Sequence, residues 1–182
     1  MNAENIKNEA YQLIDKYFMP AKAIIVKDFL NTYGFWDAPA STKYHGNYPG
    51  GLAEHSLAVA KNLLMLTEKL GLKWDNPGSP FIVGLLHDVC KMDQYKLIGT
   101  ENGYQYVYAN DSIYSHHGEK SICMLASYIT LTQEEIACIR WHMGAYETDT
   151  NEWKYYGNAI AKYPNVLWTH TADMMASHIE GV

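Results

Sequence analysis

Residues 80–91 read PFIVGLLHDVCK, and this stretch decides the fold. Every residue before the pair His87-Asp88 is apolar, glycine or proline. A helix that is apolar all round is buried, so these residues predict a helix at the centre of a helical protein. An ionised carboxylate in such a place is costly unless positive charge meets it. No arginine lies nearby, and Lys91 falls one turn later, at the end of the run. A divalent cation is therefore the expected partner of Asp88.

Outward from this stretch the pattern stays helical. Ser79 is read as the N-cap of the central helix and Pro80 as its first residue. Upstream, Leu52, Val59, Leu63, Leu66 and Leu70 keep the 3–4 spacing of a long helix that starts near Gly51 and is capped by Gly71. Ile6, Ala10, Leu13, Ile14 and Tyr17 share one face of an N-terminal helix. Pro20 opens a second that runs through Ile25 and Phe29 to Gly34. Residues 35–51 form a long irregular segment, of the kind that is often functional.

Downstream, residues 95–108 alternate and carry a glycine turn, which predicts a β-hairpin. A helix is expected over 118–128. Thr132 and Glu135 make a capping box for a helix reaching His142. Residues 144–157 read as loop. Pro164 opens a last helix with Val166, His170, Asp173 and Ser177 along one face. The expected fold is all-α, a helical bundle with a small β-hairpin insertion. It forms a single domain over 1–182, with N-terminal helices in 1–34 and the site-bearing core in about 43–180.

Composition narrows the function. The 182 residues are 48% hydrophobic, which suits one folded domain. The net charge of −6 comes without a basic block, which argues against a binder of extended nucleic acid. A small nucleotide remains compatible, since a metal can neutralise its phosphates. Cys90, Cys123 and Cys138 lack metal or disulfide spacing and read as reduced thiols of a cytoplasmic protein. No signal-peptide core and no apolar run of membrane-spanning length occurs, so no membrane role is expected.

Six metal-type side chains recur in helical stretches: His55, His87, Asp88, His117, His142 and Asp173. His55 lies between Leu52 and Val59 and so points inward. Asp173 is a second carboxylate in apolar company, among Ala172, Met174 and Met175. Any one of these residues alone reads as an ordinary core or surface group, but four histidines and two buried acids on separate helices need a shared reason. Imidazole and carboxylate together suit Mn, Fe, Co, Ni or Zn. A closed structural zinc site usually uses thiolates.

The runs YHGNYPGGLAEHSLAVAKNLL, GLLHDVCK, HHGEKS, IRWHMGAY and HTADMMAS together resemble the HD-domain metal-dependent phosphohydrolases, over about residues 43–177. The resemblance implies a helical bundle with a metal site at its centre. It implies that His55, His87, Asp88 and Asp173 hold one ion. His117 and His142 fall where the two-metal branches carry extra histidines, so two divalent transition-metal ions are implied, with Asp88 shared between them. The chain departs from the family pattern at Cys90, where a glycine is usual. The implied activity is hydrolysis of a small phosphate ester, a nucleotide by preference, by a metal-activated hydroxide. Lys91 would bind a phosphate oxygen, its other reading being a solvated helix-end cation favoured by the helix dipole, and His116 would donate to phosphate or leaving group. His170 is read as supporting a ligand, His178 as surface. The 44–48 loop, with His45, is read as an ordinary surface loop, although it is placed to close over the site. Two other readings stand beside this one: a di-iron oxygenase on the same fold, and a non-catalytic metal- or nucleotide-sensing module.

Overall fold

The computed structural model describes residues 3–182 except 102, 110, 112 and 145–150. The apolar stretch folds as helix α4 (Ser79–Leu86) and lies against α3 (Gly51–Leu70). Gly84 makes this close approach possible. A Cβ there would lie 2.4 Å from the Ala60 Cα and 2.6 Å from its nitrogen. Around this pair pack α1 (Ala3–Tyr17), α6 (Gln133–Arg140) and α8 (Asn165–Met174), and α2 (Pro20–Thr32) packs on α1. Phe29, Phe35, Phe81, Leu52, Leu63, Leu85, Leu86 and Ile139 fill one continuous core. The remaining helices are α5 (His117–Ala126) and α7 (Trp153–Lys162). Among the described residues, no helix is long and apolar enough to cross a membrane.

The hairpin forms as expected. Strands β1 (Tyr95–Thr100) and β2 (Gly103–Tyr108) pair antiparallel, with Tyr95 opposite Tyr108 and Leu97 opposite Tyr106. The expected capping box is present: the Thr132 hydroxyl accepts from the Glu135 N–H, and the Glu135 carboxylate accepts from the Thr132 N–H. Gly71 ends α3 in the left-handed conformation.

Several boundaries differ from the sequence reading. The central helix does not run on through His87 and Asp88. It stops at Leu86, and a short 3₁₀ turn, Val89–Met92, follows. Its N-cap is Gly78, and the Ser79 hydroxyl instead donates to the buried Glu135 carboxylate at 2.7 Å. Helix α2 ends at Thr32, two residues before Gly34, and it buries Val26 while Ile25 is exposed. Helix α6 ends at Arg140, so His142 lies in the turn beyond it. Part of the expected 144–157 loop is helix α7, whose amphipathic face buries Tyr156; residues 145–150 lie outside the described part. Helix α8 passes into a π-helical turn, Met175–Glu180.

Candidate metal centre

The end of α4 explains how consecutive residues serve one site. On a continuous helix His87 and Asp88 would diverge by about 100°. The helix instead ends, and Asp88 leaves the helical conformation at φ −114° and ψ 20°. His87 Nε2 then lies 3.3 Å from Asp88 Oδ2. Helix α3 brings His55, whose Nε2 is 3.1 Å from Asp173 Oδ1 and 3.8 Å from Asp88 Oδ2. The turn after α6 brings His142, whose Nε2 is 3.4 Å from Asp88 Oδ1. All five side chains are buried, the most accessible being Asp173 at 8%.

Protonation sharpens the case. The Nδ1 atoms of His55, His87 and His142 lie 2.9, 2.8 and 2.8 Å from the carbonyl oxygens of Val182, Gly84 and Ile139. These main-chain oxygens only accept, so each Nδ1 donates and each Nε2 is the atom turned into the site. These three Nε2 atoms are buried without a hydrogen-bond partner, although each faces a carboxylate oxygen. A cation placed between these nitrogens and the carboxylate oxygens, which lie 3.1–3.4 Å apart, would satisfy both at once. Two ligands bound to one ion at about 2.1 Å lie about 3.0 Å apart at a right angle and about 3.4 Å apart at the tetrahedral angle. The donor set and its spacings fit a divalent transition metal. Two overlapping triads have the right separations, His55–His87–Asp88 and His87–His142–Asp173.

Asp88 is not left without a protein counter-charge, contrary to the expectation from its apolar surroundings. The buried Lys91 ammonium lies 2.6 Å from Asp88 Oδ2. Burial alone would push the Asp88 carboxyl up, but Lys91 and His87 hold it well below the usual carboxylate range. Burial likewise opposes ionisation of Asp173, and His55 outweighs it. Burial would lower Lys91, and Asp88 keeps it above its ordinary value. With both acids ionised and Lys91 charged, these three side chains together carry one net negative charge.

The remaining sequence candidates are placed differently. His117 opens α5 and lines the same cavity as Asp88, with its Nε2 2.8 Å from the Gln94 amide nitrogen. It does not join the triads around His87. His116 lies off the cavity, 3.3 Å from Glu152 in a network that also holds Arg140. His170 Nδ1 donates to the His142 carbonyl at 2.7 Å and so steadies the turn that carries His142.

The cluster opens into a cavity of about 730 Å³. Asp88, Lys91 and Asp173 form its floor, the 40–45 loop and the tyrosines of the hairpin its walls. His45 belongs here rather than to an ordinary surface loop: its ring centroid is 4.9 Å from that of His55. Burial and the nearby His55 lower its pKa to about 4, so it is neutral at pH 7. His178, read from the sequence as surface, also lines the cavity, and Ser177 hydrogen-bonds it. Sequence reasoning did not single out Gln94, Tyr95, Met143 or Met174, since none carries a motif. Comparison with known proteins finds no matching family model, no matching curated protein and no matching solved structure.

Proposed function

We propose that the chain is a metal-dependent phosphohydrolase acting on a small phosphate ester, a nucleotide by preference. One observation carries the reading: three buried imidazole Nε2 atoms without a hydrogen-bond partner face two ionised carboxylates at the floor of an open cavity. In this reading His55, His87, Asp88 and Asp173 hold one ion. His142 and His117 serve a second. Asp88 is suited to sharing, because its Oδ2 faces His55 and His87 while its Oδ1 faces His142. The likeness of the motifs to HD-domain enzymes supports the same assignment. When bound, the ions supply Lewis acidity and a water acidified enough to act as nucleophile near neutral pH.

The chain's own groups orient the rest. Lys91 is charged at the cavity floor, where an ammonium binds a phosphate oxygen as it lets go of Asp88. His45 is neutral and beside the site, so it can donate a hydrogen bond to the ester without adding charge. Three free cysteines, two of them buried, suit the cytoplasm.

The test is a screen of protein loaded with Mn, Fe, Co, Ni or Zn against phosphomonoesters, phosphodiesters and nucleotides. Hydrolysis that disappears on chelation and in Asp88→Ala is the expected result. Absence of hydrolysis from every metallated form, with oxygen consumption by the iron form, would replace this reading by an oxygenase.

A further inference from the structure

The three ligand histidines obtain their Nδ1 acceptors in two different ways. His87 and His142 follow the ends of α4 and α6, and each uses the carbonyl three residues back, Gly84 or Ile139. The last carbonyls of a helix have no intrahelical partner, so these acceptors come from the histidine's own segment. His55 lies in the second turn of α3, near the end where the unpaired groups are N–H donors. No local carbonyl is free there. Its acceptor is Val182, 127 residues away.

A short segment delivers this oxygen. After the π-helical turn, Gly181 takes the left-handed conformation at φ 77°, and the Val182 N–H donates to the Ala176 carbonyl at 3.1 Å. The Asn62 amide, two turns along α3 from His55, donates to Glu180 at 2.7 Å. Glu180 and Gly181 are exposed, and a cavity of about 160 Å³ lies against Val182, Leu57 and Ile6. Polar contacts, together with Val182 packed against the edge of the core, hold the segment on α3.

We propose that Gly181 and Val182 are positioning residues for the metal centre: the Val182 main-chain oxygen holds the His55 ring through Nδ1, so that Nε2 faces the ion. This inference rests on the metal-binding reading above. Its consequence is reciprocal coupling. Docking of residues 180–182 strengthens metal binding, and metal binding strengthens the docking by the same factor. Loss of a partner that orients a ligand histidine typically weakens metal binding about 10–100-fold.

The experiment measures Zn²⁺ affinity by competition with a chromophoric chelator, for the full chain and for a chain ending at Glu180. The shortened chain is expected to bind about 10–100-fold more weakly, with the metal-free melting temperature nearly unchanged. Gly181→Val, which strains the left-handed turn while keeping the chain length, should reproduce the loss. Should the shortened chain fail to fold, hydrogen exchange at the Val182 amide of the full chain decides: protection by Zn²⁺ of about tenfold or more supports the coupling. Equal affinities with and without residues 181–182, or exchange at Val182 indifferent to Zn²⁺, would overturn it and leave the metal centre standing. Absence of Zn²⁺ binding by the full chain would overturn the metal centre itself.

Discussion

Asp88 and Tyr44 line the same cavity, yet the first is 1% exposed and the second 81%. The contrast extends to their neighbourhoods. The floor is carried by α3, α4 and α8, whose side chains are locked by core packing and short hydrogen bonds to backbone carbonyls. The rim is carried by the 40–45 loop and the β-hairpin, where Tyr104 and Tyr108 are 81% and 53% exposed. A floor of this kind fixes atoms to within tenths of an ångström, which chemistry needs. A rim of this kind can adapt to a ligand and carries little of the folding free energy. Substitutions in the two regions should therefore fail in different ways.

The largest effect belongs to the floor. Asp88→Ala removes the carboxylate that faces His55, His87, His142 and Lys91 at once. It is expected to reduce phosphoester hydrolysis to background and to lower bound metal, read by elemental analysis of protein purified without chelator. Retained hydrolysis in this variant would break the distinction between floor and rim at its centre.

Lys91→Ala comes next and separates the two charge states of the floor. Breaking a buried ion pair by removing one partner typically costs about 3–5 kcal/mol, because the other charge is left uncompensated. That cost should appear in the metal-free protein. In the metal-loaded protein the ion supplies the missing positive charge, so the loss on denaturant unfolding should be much smaller. Turnover should still fall roughly ten- to a hundredfold through the missing phosphate contact. Equal destabilisation with and without metal would show that no cation shares Asp88 with Lys91.

Glycines give a paired comparison of packing. Gly84→Ala drives a Cβ into the Ala60 backbone, which has little freedom to move, and should cost about 1–3 kcal/mol. Gly99, on the hairpin, has nothing within 4 Å of an added Cβ. Gly99→Ala should stay within about 0.5 kcal/mol. Urea unfolding of both variants checks the pair. A stability loss at Gly99 matching that at Gly84 would mean that the rim is as tightly built as the floor.

The parts legible in the sequence were those written locally. Thr132 and Glu135 announce the start of α6 because the capping box lies within four residues. The hairpin is legible from its alternation, and α3 from its apolar spacing and Gly71. The first half of α7, up to Gly157, reads as loop because Glu152 provides no side-chain cap and only Tyr156 in the helix is buried. The Asp88–Lys91 pair has the i, i+3 spacing of neighbours on a helix, whereas the stop at Leu86, which brings His87 and Asp88 to one site, has no such local mark. The placing of His45 depends on a turn that no local pattern encodes. There the Ala40 N–H donates to the Gly46 carbonyl, and Gly46 lies so close to Gly51 that a Cβ on Gly51 would meet its oxygen at 2.0 Å. The contact of Val182 with His55 spans most of the chain and has no sequence signature at all.

The smallest effect is expected at the rim and bears on recognition alone. Tyr95, Leu97, Tyr104, Tyr106 and Tyr108 share one face of the hairpin, because directly opposed residues and every second residue point the same way. Tyr95 and Tyr108 line the cavity, with ring centroids 5.2 Å apart in an edge-to-face arrangement. Tyr44 stands on the loop wall. A planar base entering between these walls would find aromatic faces while its phosphate reached Lys91. Stacking on one aromatic side chain contributes about 1–3 kcal/mol, so Tyr108→Ala should raise KM for a nucleotide at least roughly fivefold and leave kcat unchanged. A phosphate ester without an aromatic group should show no change in KM. Tyr104→Ala, near the hairpin tip, serves as the distant reference and should change KM less. If Tyr108→Ala instead lowers kcat for both substrates, the hairpin belongs with the floor, and the tyrosines act by shaping the site rather than by holding a base.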